Sequence, residues 1–246
     1  MINSVRHAIR IMNCFSTKTT ELGISELALL LSMNRSTVHH LVTTLYNEGL
    51  LTKTPNRKYR PGAKLLDWGQ LANEQYKPFF IANSVIDNLV KRSNETVHLG
   101  ILENESVSYL IKKEPSKPVR ISTGIGIPKP LHCTALGKVL LSFQPDKFIE
   151  KIISKGLRQY TENTIVTRET LWDEIQLIRK QGYAIDNEEF DEGLFCIAAP
   201  VRNYLGDVVC ALSVSGPECR MNTERVQIRS EIVMENAYEV SRQCDL

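Results

Sequence analysis

No stretch of this 246-residue chain approaches the ~18 consecutive apolar residues that a membrane-spanning helix requires. Its start, MINSVRHAIRIMNCF, lacks the long apolar core and small-residue cleavage site of a secretory leader. Val5, Ala8, Ile9 and Met12 recur there at helical spacing, so a folded helix is expected from about Ser4 to Phe15. No C-x-x-C pair occurs among the cysteines at 14, 133, 196, 210, 219 and 244, which argues against a disulfide framework and for reduced thiols in a cytoplasmic protein. Neither sign of charge is in large excess, since the formal net value is only +2. Its distribution is uneven. Residues 1–61 hold eight basic against three acidic side chains, a net +5, which leaves −3 for the remainder. A small basic domain on a mildly acidic body points to a polyanionic partner for the first part alone.

The first sixty residues carry most of the information. Ser25 is placed to cap a helix running to Leu31, and Asn34 to cap a further helix from Arg35 to Glu48, ended by Gly49. In that last helix Val38, Leu41, Val42 and Leu45 form one buried stripe. The opposite side carries Arg35, Ser36, His39, His40, Thr43 and Asn47, short polar groups that can enter a major groove. Leu50–Lys53 then reads as a strand, Thr54-Pro-Asn56 as a turn and Arg57–Arg60 as a returning strand. The hairpin bears Lys53, Arg57, Lys58 and Arg60 around Tyr59, a basic wing beside the recognition helix. Helix, turn, helix and basic hairpin in this order predict a DNA-binding domain over residues 1–61. Its expected contacts with double-stranded DNA are Ser25, Arg35, Ser36, Thr37, His39, His40, Thr43, Lys53, Arg57, Lys58, Tyr59 and Arg60.

The segment GISELALLLSMNRSTVHHLVTTLYNEGLLTKTPNRKYRPG, from Gly23 to Gly62, resembles the DNA-binding half of the IclR family of bacterial regulators. One residue departs from that pattern: His40 stands where the family usually has arginine, and histidine makes a weaker, pH-sensitive phosphate contact. The resemblance continues through Glu95-Thr-Val-His-Leu99, Pro130–Ala135, Gly137-Lys138, Arg179, Gly182-Tyr183, Glu188-Glu-Phe190, Gly193, Ile197–Val201 and Leu212–Gly216. It implies an α+β two-domain chain: a winged helix-turn-helix, then a GAF-like α/β effector domain whose six-stranded antiparallel sheet is flanked by helices. After Pro61-Gly62, residues 62–77 are expected to form a linker helix with Leu65, Trp68 and Ala72 on one stripe. Residues 78–246 are expected to form the effector-binding and oligomerisation domain. The family assigns dimer contacts to the linker, so a homodimer on a roughly palindromic operator is expected, with a tetramer as a further option.

The second domain reads as a helix at Phe79–Arg92, strands at Val97–Leu102 and Val107–Lys113, and another strand near Val119–Ser122. Helices follow at Ala135–Phe143, Asp146–Ser154 and Arg168–Gln181. Strands return at Tyr183–Asp186, Phe195–Val201 and Val208–Ser215, before a long helix at Thr223–Gln243. In the last strand alternation puts Val208, Cys210, Leu212 and Val214 on one face and Val209, Ala211, Ser213 and Ser215 on the other. By resemblance, family members that sense small 2-oxo acids use the positions of Thr134, Ala135, Asp186, Cys196, Ser213 and Ser215. The amides at the helix start near Thr134 and Ala135 suit a carboxylate. The two serines would donate to the second polar end, and Asp186 would accept from a hydroxyl or hydrated carbonyl. The expected function is regulated DNA binding under a small carboxylic-acid effector, repression favoured over activation, with no cofactor, metal or catalytic residue. Three alternatives stay open on sequence alone. One is a cysteine-dependent enzyme acting on a small carboxylic acid through Cys196, His132 and Asp186. Another is a metal site at His98, His132 and Cys133, and the third a winged helix that docks only on protein.

Overall fold

A computed structural model of the chain describes residues 2–116, 124, 127–221 and 226–243. Two compact units emerge, Met1–Gln75 and Tyr76–Leu246. Among the described residues no helix is long and apolar enough to cross a membrane.

The first unit packs three helices, α1 (Asn3–Met12), α2 (Ile24–Leu31) and α3 (Arg35–Asn47), around Ile11, Leu27, Leu31, Val38, Val42 and Leu45. Two strands follow, β1 (Leu51–Lys53) and β2 (Tyr59–Pro61), antiparallel with Lys53 opposite Tyr59. Tyr59 also pairs with Leu22 through two backbone hydrogen bonds of 2.8 and 2.9 Å, so the hairpin is stitched to the segment entering α2. The cap of α2 differs from expectation. Gly23, not Ser25, is its N-cap, and the Glu26 carboxylate reaches back to the Gly23 amide at 2.6 Å. Helix α4 (Lys64–Gln75) closes this unit and buries none of its side chains.

Backbone meets backbone where the hairpin leaves. A Cβ built on Gly62 would lie 2.2 Å from the Gly49 carbonyl oxygen, and Gly49 itself sits at φ +75° as the left-handed residue after α3. Gly62→Ala is therefore expected to destabilise the first unit by about 2–4 kcal/mol, the cost of forcing backbone apart in a packed core. Urea unfolding followed by Trp68 fluorescence in a Trp172→Phe background measures it; a loss below about 0.5 kcal/mol would show that the turn adjusts freely.

The second unit is built on a five-stranded antiparallel sheet in the order β4-β3-β7-β6-β5, with β3 (Thr96–Glu103), β4 (Ser106–Lys113), β5 (Ala184–Asn187), β6 (Leu194–Arg202) and β7 (Val208–Pro217). The sixth strand expected near Val119–Ser122 lies outside the described residues. The helix expected at Phe79–Arg92 is divided into α5 (Lys77–Phe80) and α6 (Asn83–Ser93). At the break the Asn83 side-chain amide takes the Phe80 carbonyl at 2.8 Å, an alternative to continuing the helical ladder. Helices α7 (Ala135–Ser142), α8 (Asp146–Ser154) and α9 (Arg168–Gln181) follow, then the short α10 (Glu218–Met221), which periodicity did not suggest, and α11 (Val226–Gln243).

Each sheet face carries its own core. Val97, Leu99, Ile197, Leu212 and Val214 pack beneath α6 and α11 with Leu89, Val233 and Val240. The other face sets Val107, Tyr109, Cys196, Ala198 and Ala211 against α7, α8 and α9 with Leu140, Ile149 and Ile175. Alternation along β7 holds from Cys210 onward and fails at Val208, which packs on the α7 side. The register slips between Val201 and Arg202, so β7 carries one extra residue there and every side chain before it changes face.

Candidate DNA interface and ligand cavity

In the first unit Arg35, Ser36, Thr37, His39 and His40 are exposed on α3, and Thr43 is half-buried. The Arg35 guanidinium donates to the Ser25 hydroxyl, tying the start of α3 to α2. Ser25 thus positions Arg35. On the hairpin Lys53, Arg57 and Arg60 are exposed, with Arg57 at φ +58° at the tip. Two expected contacts fall elsewhere. The Tyr59 ring is buried, packed among Leu22, Leu27 and Leu51 and edge-on to Tyr46 at 6.3 Å, because its strand position faces the core. Lys58 turns back to Glu26 with a 2.8 Å ion pair. That pair and the Gly23 amide hold the Glu26 carboxyl below its ordinary range.

The second unit brings Thr134, Ala135, Asp186, Cys196, Ser213 and Ser215 around one tight cavity of about 20 Å³. Sheet register explains the gathering. Asp186 lies opposite Cys196, and Cys196 opposite Ser215, so three strands contribute one rank of side chains. The next rank runs Ala198, Ser213 and His98. Above them the first turn of α7 supplies Ala135 and Leu136. Thr134 is the N-cap: its hydroxyl accepts from the Gly137 amide at 3.1 Å and donates to the Pro130 carbonyl at 2.8 Å, while its carbonyl takes the Lys138 amide. Thr134 therefore shapes the helix start and its hydroxyl is committed there. The other end of α7 is held by Arg179, whose guanidinium donates to the Ser142 carbonyl at 2.7 Å.

His98, Tyr109, Leu136, Phe190 and Leu194 also line the cavity, and sequence reasoning did not assign them to it. His98 stands directly opposite Ser213 and its ring lies 4.9 Å from that of Tyr109, a placement set by β3–β7 pairing and invisible to local pattern. All liners are buried except Phe190 and Leu194, which mark the mouth. There the Lys129 ammonium lies 4.5 Å from the Phe190 centroid, and the Tyr160 ring meets Phe190 at a tilt, 4.9 Å between centroids.

Every titratable group lining this cavity is pushed toward its neutral form. Burial, with Lys112 and Lys129 adding to it, holds His98 down to about 3. Burial raises Tyr109 and Cys196, and it pushes Asp186 up to about 8 with the help of Glu189. Beneath the cavity lies a buried ion cluster. The Lys138 ammonium bonds Glu189 at 2.5 Å and Glu174 at 2.8 Å. Burial opposes that charge, but the two carboxylates hold it above its ordinary value.

A basic winged helix-turn-helix followed by a separate α/β unit with a small buried cavity is the architecture of a DNA-binding regulator. Residues 4–55 match the IclR helix-turn-helix domain, and residues 79–242 match the C-terminal domain of bacterial IclR transcriptional regulators. The chain belongs to the IclR family of transcriptional regulators. It is 32% identical over 245 residues to the HTH-type transcriptional regulator XynR of Escherichia coli K12, covering 98% of this chain and 97% of that one. With the regulator KdgR of the same organism it shares 34% identity over 226 residues, 91% of this chain and 86% of the relative. The fold matches the crystal structure of an IclR homolog complexed with 4-hydroxybenzoate from Microbacterium hydrocarbonoxydans at a TM-score of 0.83 and 22% identity, covering 98% of each chain. The family and these relatives are regulators, not enzymes. The buried, high-pKa thiol of Cys196 is accordingly no nucleophile. Among the described residues no group of three or more His, Cys, Asp or Glu is placed to hold a metal ion; His132 instead meets the Arg158 carbonyl at 2.9 Å.

Proposed function

We propose that the chain binds a roughly palindromic operator as a homodimer and that a small carboxylic acid in the Asp186–Ser215 cavity controls that binding. The carrying observation is the cavity itself: buried hydroxyls of Ser213 and Ser215 converge with the start of α7, where the Gly137 and Lys138 amides are already engaged by Thr134. The Ala135 and Leu136 amides are the remaining first-turn donors, and with the helix dipole they suit a carboxylate. That a homolog with this fold was crystallised with 4-hydroxybenzoate supports the ligand class. The dimer is supported by apolar surface in the first unit: Leu66 and Leu71 on α4 are 78% and 62% exposed, and Ile2, Val5 and Ile9 form a second bare stripe at α1. Repression is the expected direction, because a dimer seated across a promoter obstructs transcription without any further contact. The place of action is the cytoplasm, where the family's operators are.

Selection from random duplexes at low salt is expected to yield an inverted repeat. On that duplex, fluorescence anisotropy should show Arg35→Ala losing about 1–3 kcal/mol of affinity, roughly tenfold or more. Arg60→Ala should lower the salt slope by about one, as for a single lost phosphate contact. Tyr59→Phe should bind as the parent does, since only its buried ring is used. Selection without enrichment, or affinity indifferent to salt, would oppose the DNA reading. Thermal shifts of the full chain against small carboxylic acids test the cavity: a ligand at about 100 times its Kd adds roughly 2.7 kcal/mol, and Ser213→Ala/Ser215→Ala should abolish the shift.

A further inference from the structure

Among the described residues that line the cavity, none is a lysine or arginine that could meet a carboxylate. Lys138, the buried ammonium closest in role, already bridges Glu189 and Glu174, one positive charge between two negative ones. Asp186 adjoins this cluster: its Oδ1 accepts the Glu189 amide at 2.8 Å, and the Phe190 amide also favours its anion. Glu189 Oε2 is buried and has no hydrogen-bond partner among the described residues, so the cluster is short of donors before Asp186 is counted. An ionised Asp186, itself buried, would add a third carboxylate near a single ammonium that already serves two. The other groups that face Asp186 bring no compensating charge. They are Cys196 from β6, Cys133 ahead of α7 and Tyr109 from β4, with Asp191 beyond them on the β5–β6 turn.

Resting on the effector reading above, we propose that Asp186 meets the effector as an uncharged carboxylic acid and donates a hydrogen bond to the ligand's carboxylate, so that a small monoanion is held by neutral donors alone. The carboxylate then lies between the Asp186 hydroxyl and the amides of Ala135 and Leu136. Ser213 and Ser215 serve its far end. This reverses the role the sequence suggested, in which Asp186 accepts from a hydroxyl. Burial and Glu189 keep the acid protonated up to about pH 8, against the pull of Lys138 and the two amides. An O–H to carboxylate bond is also among the strongest available to a site without cations.

The first test needs no ligand. In the full chain labelled with carbon-13 at the aspartate carboxyls, the resonance missing from Asp186→Asn is expected to report a protonated acid at pH 7 that titrates near pH 8. An Asp186 already ionised at pH 6 overturns the proposal. The second test uses pyruvate as probe in calorimetry of the full chain. If only the acid form binds, affinity falls about tenfold from pH 7 to pH 9. Asp186→Asn, whose amide retains a donor, should bind with no such dependence. Binding that strengthens with pH, or is lost in a folded Asp186→Asn, overturns the acid-donor role. If neither pyruvate, glyoxylate nor 4-hydroxybenzoate binds the parent at pH 7, the effector reading fails and the ligand contact with it, while the titration still decides the protonation state.

Discussion

Lys138→Met is expected to cost the second unit about 3–5 kcal/mol at pH 7, the scale found when one member of a buried ion pair is removed. The side chain is among the most buried in the protein, and its ammonium is the counter-charge for both Glu174 and Glu189. Methionine fills the volume, so the loss is electrostatic. The pH dependence separates this from a packing defect. Burial holds the Glu189 carboxyl above its ordinary 4.5 even with Lys138 present; without the ammonium it rises further. Protonating Glu189 removes the repulsion, so the deficit should be largest at neutral pH and shrink as pH falls through that raised value. In the parent, the Lys138 value is raised above 10.5, so its contribution is complete below that pH and is lost only as pH climbs through the folded value. Trp172, on the same helix as Glu174, reports unfolding of this unit in a Trp68→Phe background. A loss under about 1 kcal/mol, or one that ignores pH, would show that the cluster is incidental.

How far this was legible in sequence depends on the range of the interaction. The helices of the first unit follow from i, i+3, i+4 patterning and from Gly49, all local signals. So do α8 and α9, whose bounds are those expected. Lys138 gave a local hint as well, a lone cation in Ala-Leu-Gly-Lys-Val-Leu-Leu, but its partners lie 36 and 51 residues further on. The wing shows the opposite failure. Composition marked Tyr59 as a surface contact, yet a two-residue alternation decides which side chains of a hairpin face outward, and Leu22 fixes that alternation from 37 residues upstream. The cavity was legible in its family positions and illegible in its electrostatics. Whether Asp186 accepts or donates depends on the charge count of groups on α7, α9 and the β5–β6 turn, which only the fold assembles.

Stability should therefore record the same acid. A carboxyl whose folded value is about 8 against an ordinary 3.8 binds its proton in the native state across a range where the unfolded chain has released it. The native state holds more protons there, so stability must fall as pH rises, from near pH 4 until about pH 8, with a slope of about 1.4 kcal/mol per unit for one proton. Between pH 5 and pH 7 the parent is expected to lose roughly 3 kcal/mol through this group. The carboxyls of Glu26, Glu105 and Glu150, held low by cationic partners, slope the other way, so the comparison has to be made against a variant. Asp186→Asn supplies it. The variant should be more stable than the parent at pH 7, should converge with it near pH 4, and should lack the one-proton slope between. Coincident profiles would mean that Asp186 titrates normally in the folded chain. The expected outcome leaves a residue that lowers stability at neutral pH and yet lines a cavity whose other groups are also uncharged. Such a burden fits an acid kept for its proton, since asparagine supplies a donor at the same place without the linkage to pH and with a weaker bond to an anion.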